Sequence, residues 1–244
     1  MSWPHARRLY APELPDHEGE LELIEESRKH AQVLRLRAGD ELELFDTDGH
    51  AALATVLDLG PKRARCKVAP RRLIAREPRA LHVVLGLPKG DKLDNAVRML
   101  TELGAESIHI AQSERAVPKP SELQARLPRL ERITREACAQ SGQAYAPILH
   151  GPASLEQIAE RADPGATKWV LWEESATPRP RAPSDAPAQM WVVVGPEGGL
   201  APHEVRGLVE RGFVELSIGS AILRFETAVI TAATLALDYL GRLR

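Results

Sequence analysis

From residue 80 to the C-terminus, short apolar runs alternate with segments of helical periodicity, and that rhythm confines the chain to a small set of folds. Residues 81–86 form an apolar run closing on glycine, as a strand of a parallel sheet does. Asp91 offers an N-cap to a helix whose apolar stripe is Leu93, Val97, Leu100 and Leu103, with Gly104 as its stop. Residues 107–111 are the next strand. Residues 121–141 read as a helix with Leu123, Leu127, Leu130, Ile133 and Ala137 on one face, and Pro128 inside it predicts a kink or a restart. Ser154 caps a short helix to Ala162. Strands follow at 168–172, 190–194 and 214–218, with helices at 202–211 and 226–240. Residues 177–187 contain four prolines and no apolar period, which predicts an exposed linker. The whole predicts an open α/β sheet with helices on both faces.

Residues 1–74 have a different texture. Residues 40–46 alternate polar and apolar side chains, Asp46-Thr-Asp-Gly49 is a hairpin turn signal, and residues 51–59 continue as a second strand. A third strand ends at residues 66–70, and a short helix at 25–36 precedes them. This is a small, β-barrel-like module, so two domains are expected, 1–74 and 75–244.

Composition narrows the function. No apolar run is long enough to span a membrane, and the first residues lack the apolar stretch of a signal peptide, so a cytoplasmic protein without a membrane partner is expected. Cys66 and Cys138 stand far apart and cannot build a metal site alone, so no metal is expected. A net charge of −2 exerts no global pull on nucleic acid, so any RNA contact must come from a local patch. One patch exists: Lys62, Arg63, Arg65, Lys67, Arg71, Arg72, Arg76 and Arg79, opposed in sequence only by Glu77. It has two readings, a phosphate-binding surface or a strand edge kept from aggregating by its charge.

Two strand ends carry unusual loops. The run at 190–194 leads into Gly195-Pro-Glu-Gly-Gly199, where three glycines permit close backbone approach to a ligand. It is not the GxGxxG fingerprint, which argues against a nicotinamide oxidoreductase. The run at 214–218 leads into Gly219-Ser-Ala-Ile-Leu-Arg-Phe-Glu-Thr227. Glu226 and Thr227 suit the first turn of a helix, where capping alone would account for them. Arg224, beside the glycine loop, suits a phosphate or a base carbonyl.

Together the segments Val194-Gly-Pro-Glu-Gly-Gly-Leu200 and Leu216-Ser-Ile-Gly-Ser-Ala-Ile-Leu-Arg-Phe-Glu-Thr-Ala228 resemble the two cofactor loops of the RsmE-type 16S rRNA (uracil-N3) methyltransferases, of the SPOUT class. The likeness extends to Arg8-Leu-Tyr-Ala-Pro-Glu13, His30-Ala-Gln-Val-Leu-Arg35, Lys92-Leu-Asp94, Thr101-Glu-Leu-Gly104, Ser113-Glu-Arg115 and Glu136-Ala-Cys-Ala-Gln-Ser-Gly142. It implies a PUA-like N-terminal RNA-binding domain and a C-terminal α/β domain tied in a trefoil knot. It also implies S-adenosyl-L-methionine (SAM) as cofactor, 16S rRNA or the small ribosomal subunit as partner, and methyl transfer to N3 of a uridine. Carried over residue by residue, the cofactor set is Trp172, Gly195, Glu197, Gly198, Gly199, Leu216, Ile218, Gly219, Leu223 and Thr227. The catalytic set is Arg224 and Glu226, and the RNA-binding set is Arg8, Arg35, Lys62, Arg63 and Arg65.

The chain departs from the family where Ser220, Ala221 and Phe225 replace the usual Pro, Arg and Thr, and where Gln143 stands at a position often held by arginine. Those losses keep a second expectation open, a SAM-binding ribosome assembly factor without methyl transfer. The last helix, with Ala228, Val229, Ala232, Ala233, Leu235, Ala236 and Leu240, is apolar over more than one stripe, which predicts a homodimer.

Overall fold

The computed structural model describes residues 7–116, 120–178, 180–219 and 221–243. The N-terminal residues 1–6, Ser220 and the side chain of Leu123 lie outside them. The chain divides into two compact units: Met1–Arg76 with Arg135–Ala146, and Glu77–Thr134 with Pro147–Arg244. The expected division into two consecutive segments omits the return of 135–146 to the first unit.

The first unit holds β1 (Arg8–Tyr10), β2 (Gly19–Glu22), α1 (Glu25–Val33), β3 (Glu41–Phe45), β4 (His50–Leu59), β5 (Ala64–Val68) and β6 (Arg72–Leu73). Its sheet runs β1-β3-β4-β5-β2, with β6 also on β4. The predicted β3–β4 hairpin is present. Asp46 closes its turn by accepting the N–H groups of Asp48 at 2.8 Å and His50 at 3.0 Å, and Gly49 takes φ +100°. Leu9, Leu42, Leu44, Val56, Cys66 and Val68 form its core. A second cluster joins Phe45 and Ala51 to Cys138, which is how the returning segment is held.

The second unit holds β7 (Ala80–Gly86), α2 (Lys92–Glu102), β8 (Ser107–Gln112), α3 (Pro120–Ser141, whose last residues pack in the first unit), β9 (Ile148–Ser154), α4 (Leu155–Ala159), β10 (Thr167–Leu171), β11 (Gln189–Val194), α5 (Pro202–Val209), β12 (Val214–Leu216) and α6 (Phe225–Tyr239). Six parallel strands lie in the order β12-β10-β11-β7-β8-β9. Side chains alternate between two cores, as the period of two in a strand requires. Leu81, Val83, Leu85, Met190, Val192 and Val194 face the layer of α2, α3 and α6. Val84, Trp191 and Val193 face α4 and α5. The expected α/β class with helices on both faces is therefore what the chain adopts.

Local signals explain several boundaries. α2 buries Leu93, Ala96, Val97 and Leu100, and Gly104 ends it at φ +70° with its N–H on Thr101 O at 2.9 Å. Ser154 caps α4 reciprocally with Gln157. α3 passes through Pro128 as one helix, so the expected restart is absent. The strand expected at 214–218 stops at Leu216, which leaves Ile218 in the loop beyond it.

Strand order decides where a ligand can bind. From β7 the chain proceeds through α2 to β8 on one side, and from β11 through α5 toward β12 on the other. The sheet therefore changes winding direction beside β11, and open α/β sheets bind ligands beyond strand C-termini near such a point.

Candidate functional site

β10, β11 and β12 end together at Leu171, Val194 and Leu216, which are register partners across the sheet. The loops leaving these ends enclose a cavity of about 700 Å³, its open mouth included. Of the ten residues expected to hold a cofactor, Trp172, Gly195, Glu197 and Gly199 line it from one side, and Leu216, Ile218, Gly219 and Leu223 from the other. Gly198 and Thr227 are not among the lining residues. Leu171, Val194, Leu200 and Phe225 add apolar walls, and Glu173 adds a carboxylate. Sequence reasoning missed Glu173, although it follows a strand end as directly as the glycine loop does.

The first loop is a closed turn, with Gly199 N–H donating to Pro196 O at 2.9 Å. Gly199 sits at φ +71°, so the backbone demands glycine, and a Cβ there would displace the Glu173 carboxylate, whose Oε1 lies 2.8 Å away. A Cβ on Gly198 would meet Arg115, 3.2 Å from that residue's Cβ. Glu197, at the cavity edge, is held by Lys92 Nζ at 2.9 Å and by the Lys89 N–H at 3.2 Å. Burial pushes its carboxyl up, but hydrogen bonds from Lys92 and from the backbone N–H groups of Glu197 and Lys89 outweigh that and hold it below the ordinary value. The bond to Glu197 in turn raises the Lys92 ammonium above its ordinary value. Glu226 acts in the same direction and Arg224 against it, so the four charges share one neighbourhood.

In the second loop Arg224 is exposed and occupies the N-cap position of α6 without a side-chain capping bond. Glu226 is half-buried and Thr227 exposed, both in the first turn. None of the three lines the cavity; they stand beside it. Ile222, two residues before Arg224, is 91% exposed at the cavity rim. The cysteines offer no competing chemistry, because burial pushes Cys66 up to about 11 and Cys138 up to about 12, so neither is a thiolate at neutral pH. Among the described residues no group of three or more His, Cys, Asp or Glu is placed to hold a metal, and no helix is long and apolar enough to cross a membrane.

The cationic residues of the first unit divide sharply. Arg8, expected to face RNA, is instead buried: it pairs with Glu43 at 2.8 Å, donates to Cys138 O at 2.6 Å and lies 4.4 Å over the Phe45 ring. Arg65 is bound by Asp58 at 2.7 Å and Glu20 at 3.0 Å. Lys67, Arg71 and Arg72 are paired with Glu18, Asp16 and Glu43. Four of the eight residues of the basic run are thus held in ion pairs along the sheet. Lys62 and Arg63, at the β4–β5 hairpin tip, are exposed, as is Arg35 at φ +55°.

Similarity to known proteins follows the same geometry. The RNA methyltransferase domain family matches residues 75–237, and the RNA methyltransferase PUA domain family matches 23–69. The ribosomal RNA small subunit methyltransferase E of Mycobacterium tuberculosis is 30% identical over 235 residues, covering 93% of this chain and 89% of that protein. The protein of the same name from Bacillus subtilis is 31% identical over 225 residues, covering 88% of each. The crystal structure of a ribosomal RNA small subunit methyltransferase E from Neisseria gonorrhoeae, bound to S-adenosyl methionine, superposes with a TM-score of 0.85 at 28% identity, covering 96% of this chain and 98% of that one. A Legionella pneumophila structure described as in complex with SAM gives 0.87 at 28%, with the same coverage. With a PUA domain ahead of a SPOUT-type α/β domain and this similarity along nearly its whole length, the chain belongs to the ribosomal RNA small subunit methyltransferase E family.

Proposed function

We propose that the protein is a SAM-dependent methyltransferase acting on N3 of a uridine in 16S rRNA of the small ribosomal subunit. The observation that carries this reading is the cavity where both glycine-bearing loops meet at the C-terminal strand ends, in a chain similar throughout to a SAM-bound relative. The cavity suits the cofactor: apolar walls for an adenine, a carboxylate at Glu173 for hydroxyl or amino donors, and a turn that a Cβ on Gly199 would fill. Gly195, Gly199, Leu216, Ile218 and Leu223 would hold the adenosyl part, with Trp172 and Gly219 at its margins.

SAM supplies an electrophilic methyl group on a sulfonium sulfur. The chain's own part is positioning and charge. Uracil N3 must lose its proton at or before transfer. Arg224 would stabilise the charge that develops on the base carbonyls, and Glu226, two residues on in the first turn of α6, would accept the proton. Thr227 would orient this turn. Base edges are hidden in an A-form helix, so the target nucleotide must be unstacked to reach this charge cluster. Arg35, Lys62 and Arg63 are the cations free to meet phosphates, whereas Arg8 and Arg65 support the sheet. The reading carries with it residues 1–74 as the core of an RNA-binding domain, 75–244 as a knotted methyltransferase domain, and a cytoplasmic location. It also carries a homodimer through α6, beside which Trp169, Leu216, Thr231 and Leu235 line a second apolar cavity.

Modification mapping of 16S rRNA from cells with and without the gene tests the reaction. An N3-methyluridine that disappears with the gene and returns when purified protein and SAM are added is the expected result. SAM binding without methyl incorporation would favour the assembly-factor reading, for which the loss of a cation at Ala221 speaks. Light scattering at micromolar concentration tests the dimer, and a monomeric mass would exclude it.

A further inference from the structure

The glycine loop is fixed from outside the cavity as well as by its own turn. Loop 113–116, after β8, is itself a closed turn, with Ala116 N–H on Ser113 O at 3.0 Å. Its next anchor is the Glu204 carboxylate of α5, only 6% exposed and without a cationic partner among its hydrogen bonds. One oxygen accepts the Glu114 N–H at 2.9 Å and the other the Ala201 N–H at 2.8 Å, so a single buried group ties loop 113–116 to the exit of the glycine loop. From that fixed base Arg115 Nη1 donates to Gly198 O at 3.0 Å. A Cβ on Gly198 would crowd this contact, lying 3.2 Å from Arg115 Cβ.

We propose that Arg115 is a positioning residue for the cofactor loop, holding the Gly198 carbonyl away from the cavity so that Gly199 keeps its place in the lining. The proposal rests on the methyltransferase reading above. Arg115 does not line the cavity; it acts through the peptide between Gly198 and Gly199, as the outer groups that orient a binding shell do. The buried Glu204 supplies the rigidity, and the charged donor on a carbonyl supplies the strength.

Calorimetric titration with S-adenosylhomocysteine, on the full chain and on Arg115→Ala and Arg115→Lys, tests it. Arg115→Ala should weaken binding about tenfold, the equivalent of one charge-assisted hydrogen bond, and raise the KM for SAM by a similar factor with a smaller change in kcat. Filter binding of RNA and the thermal midpoint should stay near wild type. Arg115→Lys, which keeps one donor, should recover most of the affinity. Unchanged affinity with weaker RNA binding would make Arg115 an RNA contact and overturn the proposal. A midpoint lowered alike in both variants, with affinity lost in both, would make its role one of stability and overturn it as well. Wild-type protein that fails to bind the probe would instead sink the methyltransferase reading, and this proposal with it.

Discussion

His82 and His109 share the hydroxyl of Ser107, which lies 2.7 Å from His82 Nδ1 and 2.8 Å from His109 Nε2. The hydroxyl has one proton, so it donates to one imidazole and accepts from the other. Trp191 stacks on His82 at 4.5 Å, and His150 stacks on His109 at the same distance. Burial, then the charge of His150, takes His82 down to about 4. Burial, then His150, His82 and Arg161, take His109 down to about 3. Unfolded imidazoles titrate near 6.5. Below that value the unfolded chain takes up protons that the native sheet refuses, so stability is full at neutral pH and declines as pH falls toward 4. The thermal midpoint should therefore drop between about pH 7 and about pH 5, and His109→Gln should flatten that slope. A midpoint independent of pH would contradict it. At this scale the sequence is least legible. Arg8 and Lys62 are both cations in polar surroundings along the chain, yet one is enclosed by Glu43 and the Phe45 ring and the other is exposed. The difference comes from partners distant in sequence, which no local pattern records.

Loops and strands are more legible, in proportion to how much of their signal is local. β7, β10 and β11 are buried on both faces, so their apolar runs announce them. β9 gives no such signal, because it is an edge strand with Gly151 and Pro152 inside it and no alternation of burial. β1 and β2 are short edges whose pairing, not whose sequence, makes them strands. Both glycine-bearing loops stand out, but the sequence does not say which glycines are obligatory. Gly199→Ala should cost about 1 kcal/mol or more of stability from its positive φ alone, and should weaken S-adenosylhomocysteine binding through the displaced Glu173. Gly219→Ala meets nothing within 4 Å and should change the thermal midpoint little. Equal effects from the two, read by calorimetry, would mean that backbone geometry does not govern the lining.

For the molecule as a whole, the α/β class and the presence of a separate β-rich module follow from changes in sequence rhythm at residues 75–80. The return of Arg135–Ala146 does not, because a helix crossing between units has the same period on both sides of the crossing. That return has energetic weight. Without it, Arg8 loses the carbonyls of Cys138 and Gln143, Ile74 O loses the Tyr145 hydroxyl at 2.8 Å, and Gly49 loses the tyrosine ring packed against it. A fragment of residues 1–74 should therefore melt well below the intact protein, or unfold without cooperativity, when followed by circular dichroism. A sharp transition at the intact midpoint would show the segment to be dispensable. The same interleaving sets an order of events during synthesis. The ribosome finishes Arg76 with the N-terminal unit still missing its last piece, and then makes all of β7, α2, β8 and most of α3 before that piece exists. At about 5–20 residues per second the nascent unit waits several seconds with Phe45 and Ala51 uncovered, so the N-terminal unit can finish folding only after the first half of the C-terminal unit has been made.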